Sequence, residues 1–444
     1  MTSSRLPLAA LLVVIALPTP ARAQDSALAH PLTLGDAVRL AARRNAQALE
    51  AHDRADAAAA RVTQRRADLL PQLSAAALES GHTLNSATFP FTIPGLDPNG
   101  EVLGPVNTLD LRAQVGVKLV DFAGYQKVSS ARAAAGASSA EAANIGDLAG
   151  DLAARAYIRL QRAEALLIAR RADSVLADSL LGIARAQLHS GVGVAIDVTR
   201  AKVQASTVRA QLIFQRAERD RSRLDLLRVL NLPIDTHLAL ADSLDRLPAP
   251  AALPSESAAV AVALRSRADL RAAVLQLDAA QSAVSAAKAE RLPSLGAAAD
   301  YGAIGKNGAS YLPTYSWGVQ LSVPIFDGLR REARIEEQRA LASEAMSHQR
   351  ALVLQASIEV RGALDDLAAA REQMAAARER LDLSELEVTQ ARERFVAGVA
   401  GNLDVIQASS NLNTARSQQI EALAAYQAAR VALAHAEGTV TALP

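Results

Sequence analysis

The sequence predicts a mainly α fold with a transmembrane β part, four strands and long coiled-coil helices per chain, built by internal duplication. Three observations lead to this class. A glycine-marked break, Ser190-Gly191-Val192-Gly193 followed by Ile196-Asp197-Val198, returns 207 positions later as Ala397-Gly398-Val399-Ala400-Gly401 followed by Leu403-Asp404-Val405. Long helical patterns flank both breaks, in a chain that is 50% hydrophobic but only 3% aromatic and rich in alanine, the composition of helices packed closely side by side. Two runs alternate apolar and polar residues with the period of a strand.

In chain order, residues 1–23 read as a secretory leader. Arg5 makes the start positive, Leu6 to Leu17 form an apolar core too short to span a bilayer, and Ala21-Arg22-Ala23 is a cleavage site, so the mature chain is expected to begin near Gln24. There is no cysteine, which excludes disulfides, thiolate metal sites and a lipidation cysteine after the leader. Thr33-Leu34-Gly35-Asp36 reads as an N-cap with an acid three positions on, opening a helix to about Leu70. Leu70-Pro71-Gln72-Leu73 ends that helix, because the residue before a proline is pushed out of the helical region, and Leu292-Pro293-Ser294-Leu295 repeats the punctuation.

The clearest strands are Asp110 to Leu119, where Leu111, Ala113, Val115 and Val117 alternate with polar or small residues, and Tyr315 to Val323, where Tyr315, Trp317, Val319 and Leu321 do. Each is near the 9–11 residues of a tilted transmembrane strand. Their partners fall at 72–82 and 294–302, giving hairpins of about 72–119 and 294–323. The first has a long loop, Thr83 to Thr108, and the second a shorter one, Lys306 to Thr314. Tyr315 and Trp317 suit an aromatic belt at a membrane interface, and Phe89, Phe91 and Tyr311 suit external loops.

Val120-Asp121-Phe122-Ala123-Gly124 and Pro324-Ile325-Phe326-Asp327-Gly328 precede two long helices, 126–189 and 329–396. The first would run roughly 95 Å at 1.5 Å per residue. The other helical segments, 34–70, 194–230, 258–290 and 402–437, are about half as long, so two laid end to end match one long helix. The proline-bearing linker and both termini then fall at mid-height. The expected organisation is a leader at 1–23, a first structural repeat at 24–230, an equatorial linker at 231–257 and a second repeat at 258–444. After each turn the apolar spacing runs 3-4-3, through Val198, Ala201, Ala205 and Val208 and through Val405, Ala408, Leu412 and Ala415, which is a coiled-coil seam.

Without Arg5 and Arg22 of the leader, 45 basic residues face 46 acidic ones, a balance with no electrostatic footprint for nucleic acid. Catalytic motifs fail on spacing. The seven histidines have no His-x-x-x-His pair, no Gly-x-Ser-x-Gly occurs, Gly191 to Ile196 lacks the third glycine of a dinucleotide loop, and Gly305-Lys306 lacks the P-loop spacing. The chain reads as a non-enzyme, with no cofactor and no metal site.

Four strands cannot close a barrel. Single-chain barrels begin at eight, and an open edge in lipid leaves backbone groups unpaired, so the chain is expected to oligomerise and to align its helices into one conduit. The runs Leu32-Thr33-Leu34-Gly35-Asp36-Ala37-Val38, Leu70 to Leu73, Arg267-Ala268-Asp269-Leu270-Arg271, Leu292 to Leu295, Leu321 to Gly328 and Ala397 to Ala408 follow one another over essentially the whole mature chain. In that arrangement the sequence resembles the TolC family of outer-membrane efflux proteins.

The resemblance implies a homotrimer whose twelve-stranded β-barrel sits in the outer membrane over a twelve-column α-helical barrel in the periplasm. It implies a passive channel of a tripartite efflux or type I secretion system, with a periplasmic adaptor and an inner-membrane pump of RND or ABC type as partners. It implies a gate at the periplasmic tip, where Asp404 occupies the first acidic position and Gln407 stands where some members carry a second acid. Adaptor docking falls to the turns: Gly191, Val192, Gly193, Gly398, Val399 and Gly401. Three converging copies of Asp404 would make an acidic ring favouring cations. Asp197 and Asp404 also stand in a first helical turn, where the dipole favours an acid, and Gly191 and Gly398 also suit C-caps. The alternative is a periplasmic coiled-coil adaptor or structural protein without a barrel, which would be recovered from the soluble periplasm without detergent.

Overall fold

In the computed structural model, which describes residues 30–443 apart from 89, 92, 93, 96, 98, 245–251, 307–309, 398 and 400, one motif occurs twice. The first copy is α1 (Leu34–Arg44), α2 (Ala46–Ala67), β1 (Gln72–Asn85), β2 (Val102–Asp121), α3 (Phe122–His189) and α4 (Ala195–Val229). The second is α5 (Glu256–Ser266), α6 (Ala268–Ala289), β3 (Ser294–Lys306), β4 (Leu312–Ser322), α7 (Arg330–Val396) and α8 (Asn402–Ala436). Elements before the hairpins recur after 222 positions and α4 recurs after 207, the first hairpin being the longer. The expected leader and Phe89 lie outside the described residues. No helix among the described residues is long and apolar enough to cross a membrane.

The helices expected at 34–70 and 258–290 are each broken once, a correction with a specific cause. Asn45 leaves the helical region at ψ 140°, and its side-chain oxygen accepts the Gln47 N–H at 3.0 Å. Its amide then donates to the carbonyl of Val229, the last residue of α4, at 2.9 Å. Arg267, at ψ 124°, takes the same role in the second copy, donating to the carbonyl of Ala436, the last residue of α8, at 3.3 Å. Each break therefore satisfies an orphan carbonyl at the end of the helix that abuts it. One residue out of helical conformation leaves the apolar spacing intact, so the pattern reads straight through it.

End-to-end stacking follows from these junctions. The 11 and 22 residues of α1 and α2, with the 35 of α4, match the 68 of α3, which spans roughly 100 Å. Near the middle of α3, Tyr157 is fully buried among Leu32, Ala37, Ala41, Leu160, Leu226 and Leu230. Its hydroxyl lies 2.8 Å from the Leu32 carbonyl and 3.0 Å from Asp242 Oδ2, and Leu32 bridges to Leu240 of the linker. Tyr157→Phe removes these bonds, while the Leu32 carbonyl keeps the Ala241 N–H and Asp242 Oδ2 keeps the Leu34 N–H, each at 2.9 Å, so the change is expected to cost about 0.5–1.5 kcal/mol, read as a lower denaturant midpoint at unchanged m-value.

The four strands form one antiparallel sheet in the order β1-β2-β3-β4. The β2–β3 ladder, which joins the two hairpins from Thr108↔Lys306 to Asp121↔Ser294, has no counterpart in the sequence reading. Both hairpins are also longer than the alternation indicated. β1 pairs with β2 as far as Asn85↔Val102, so much of the loop expected at 83–108 is strand, and β3 runs on to Lys306. Backbone ladders need no apolar face, and the pairing continues past the point where one face stops being apolar.

The register sorts the side chains. Leu73, Leu111, Val115, Tyr301, Tyr315, Trp317, Val319 and Leu321 share one face, and Ser74, Asp110, Arg112, Gln114, Asp300, Ser316 and Gln320 share the other. On the polar face Arg112 pairs with Asp110 at 3.1 Å, with Asp300 and with Thr314 at 3.3 Å, tying β2 to β3 and β4.

Candidate functional site

Both turns lie at the ends of the long helices. At the first, the N–H groups of Val192 and Gly193 converge on the Gln187 carbonyl at 3.1 and 2.9 Å. Gly191 takes φ +78°, a left-handed closure. A Cβ on Gly193 would lie 3.0 Å from the Gln187 backbone, a tight approach that a side chain could make only by pushing that backbone back by a few tenths of an ångström. The second turn closes by the same six-to-one bond, from the Val399 N–H to the Arg394 carbonyl at 3.0 Å. Gly398 lies outside the described residues. Gly401 caps α8 at φ −79°, a conformation open to any residue.

What the turns offer a partner is apolar. Val192 is 79% exposed and Val399 73%, with Val194, Ile196, Val396 and Leu403 exposed around them. Behind that surface the two turns are fastened together. Phe395, Val405 and Leu180 bury one another, with Leu176, Ile183 and Ala391 alongside, joining α3 to α7 and α8.

The residues proposed for a gate lie on the exposed side of α8. Asp404 has no ion-pair partner among the described residues, and its N–H donates to the Gly401 carbonyl at 3.3 Å. Gln407 donates to Asn411 Oδ1 at 3.2 Å, and Asn411 donates to Glu387 of α7 at 3.1 Å. With Thr414, Gln418 and Glu421 these side chains form a polar stripe beside the buried seam of Val405, Ala408, Leu412 and Ala415. Asp197, in the first copy, approaches Arg200 at 3.8 Å.

Two further features escaped the sequence reading. Asn402 is fully buried, its amide donating to the Asp197 carbonyl at 2.9 Å while its Oδ1 has no partner among the described residues. It reads locally as an ordinary helix start. The available signal was the contrast between copies, since Ala195 stands 207 positions earlier. Higher on α3, Asp173 has no exposed side-chain surface and is bracketed by Arg170 and Arg416, each at 3.0 Å, with Arg170 also donating to Ser417 at 2.6 Å. Burial pushes the Asp173 carboxyl above its usual range, against the pull of the two guanidiniums. At the sheet, Tyr315 and Trp317 are each 75% exposed on the apolar face, and Tyr301, directly opposite Tyr315, joins them. An alanine-rich strand hid that third aromatic.

Comparison with known proteins adds the following. A family model described as outer membrane efflux protein matches residues 37–232 and 259–439. The outer membrane efflux protein BepC of Brucella suis biovar 1 is 26% identical over 294 residues, 65% of this chain and 63% of that protein, so the match spans less than two thirds of the relative's length. Among solved structures, the outer-membrane channel OprN superposes with a TM-score of 0.75 at 22% identity, over 91% of this chain and 90% of that one. The CmeC outer membrane channel of Campylobacter jejuni gives 0.78 at 17% identity, over 91% and 85%. At these identities the superpositions speak for the fold.

Proposed function

The chain belongs to the outer membrane efflux protein family, and on that premise we propose that three copies form a passive outer-membrane channel of a tripartite efflux or type I secretion system. One observation carries this reading: a four-stranded sheet with an apolar face and two unpaired outer edges, β1 and β4, continuous with helices roughly 100 Å long. Such edges are tolerated in lipid only if β4 of one copy pairs with β1 of the next, and three copies give twelve strands. The helices below then close into a twelve-column tube reaching into the periplasm, with the linker at mid-height and the turns at its far end. A periplasmic adaptor engages the valine-tipped turns through Val192 and Val399, with Gly191, Gly193, Gly398 and Gly401 shaping the backbone, and an inner-membrane pump of RND or ABC type supplies the cargo. Tyr315 and Trp317 anchor the barrel at a membrane interface.

The gate is assigned to Asp404, with Gln407 one turn on. Exposure without an ion-pair partner suits a carboxylate that faces its symmetry mates across an axis. Asp404→Ala in a reconstituted channel is expected to lower cation preference and weaken block by divalent cations. Unchanged selectivity would leave Asp404 as a helix-start residue only. The trimer is tested by a detergent-corrected mass: one chain per particle, or recovery in the soluble periplasm without detergent, rules out the channel and favours the barrel-less alternative.

A further inference from the structure

We propose that the foot of the sheet, where strands become helices, is a docking belt for the headgroups of anionic phospholipids on the membrane face from which the helices emerge. The proposal rests on the barrel reading above and adds a partner to it. Its first support is charge. Across the four junctions, 61–73, 118–127, 288–294 and 322–334, ten basic residues face five acidic ones, whereas the whole sequence has 47 against 46. The excess is therefore local.

Pairing does not remove the excess. All five acids are engaged: Asp68 by Arg65 at 3.5 Å, Asp121 by Lys118 at 2.9 Å, Asp327 by Arg331 at 2.8 Å, and Glu332 by Arg291. Glu290 is shared by Lys127 at 3.0 Å and Arg334 at 2.8 Å. Arg61, Arg66, Lys288 and Arg330 have no ion-pair partner among the described residues, which leaves four cations per chain without a counter-charge. A cleft of about 680 Å³ between α2, α3, α6 and α7 collects Arg61, Arg65, Lys127 and Arg334 around that single Glu290.

The second support is an apolar band at the same level. Leu73, Phe122, Tyr125, Leu292, Ile325 and Phe326 are all exposed at the strand–helix junctions, Ile325 at 91% and Phe326 at 79%. Exposed aromatic and aliphatic side chains interleaved with arginine and lysine along the junctions match the two parts of a phospholipid, acyl chain against the apolar groups and phosphate against the cations. The occupant is accordingly a lipid with a net negative headgroup.

The test uses the full chain reconstituted into vesicles of phosphatidylcholine alone or of phosphatidylcholine with phosphatidylglycerol. Flotation reports insertion, and native mass spectrometry after solubilisation reports the lipid retained. The chain is expected to float with both vesicles and to retain phosphatidylglycerol over phosphatidylcholine by about tenfold, a preference that high salt abolishes. The combined variant Arg61→Gln, Arg66→Gln, Lys288→Gln and Arg330→Gln, all at exposed positions, should still float but lose the preference. Equal retention of both lipids by inserted wild-type chain overturns the belt, as does competition in which inorganic phosphate displaces the lipid and binds in its place. A chain that floats with neither vesicle overturns the barrel reading, and the belt with it.

Discussion

A chain carrying Val192→Asp and Val399→Asp is expected to fold and assemble normally yet to lose export in cells that supply adaptor and pump. Both valines are mostly exposed at the turns, so the fold has little packing there to lose, and the change in stability should stay within about 0.5 kcal/mol. Against a partner the balance differs. Burying one valine contributes roughly 1.5 kcal/mol, so two per chain are worth about a hundredfold in affinity before the cost of desolvating the new carboxylates. Co-purification of adaptor with the variant and export by the complemented strain of whatever cargo the wild-type channel exports read the effect. Wild-type export by the double variant would remove the turns from the docking surface.

Arg267→Met is expected to be the most damaging single change in the helical part. Arg267 is buried, holds Asp269 at 2.7 Å and Glu359 at 2.5 Å, and caps the α8 carbonyl of Ala436. Removing it strands Asp269 and leaves a carbonyl without its donor, while Glu359, 36% exposed, keeps the Gln355 amide at 2.7 Å, a loss of about 3 kcal/mol, the low end for breaking a buried pair. That is a large part of the stability of an ordinary fold, so a low yield of assembled protein is expected. Adding Asp269→Asn and Glu359→Gln discharges both acids and should recover part of the loss. The matching change in the first copy, Asn45→Ala, breaks only neutral hydrogen bonds and should cost about 1 kcal/mol. Equal denaturant midpoints for Arg267→Met and wild type would show that packing alone holds the junction.

These junctions also show where sequence reading reaches its limit. Arg267 was visible as part of the run Arg267 to Arg271, but its role depends on Glu359 and Ala436, which are 92 and 169 positions away. Asn402 reads as a helix start and is in fact a buried link to Asp197, 205 positions earlier. The turns were legible because a glycine-marked break, left-handed at Gly191 in the first copy, and an apolar seam spaced 3-4-3 are local signals. The strands were found from alternation, yet their full length was not, since a ladder continues on backbone hydrogen bonds alone.

The sequence by itself determined the two turns, the long helices and the existence of four strands, because each is written in residues within a few positions of one another, and it determined the duplication because those local patterns recur in the same order. Only the tertiary structure decided that the hairpins join through β2 and β3, that each strand-proximal helix is broken at one residue to cap its neighbour, and that Asp173 is enclosed by Arg170 and Arg416. Those choices are settled between segments brought together by folding, where the burial of a polar group obliges it to find a partner, and nothing in the local pattern names which partner that will be.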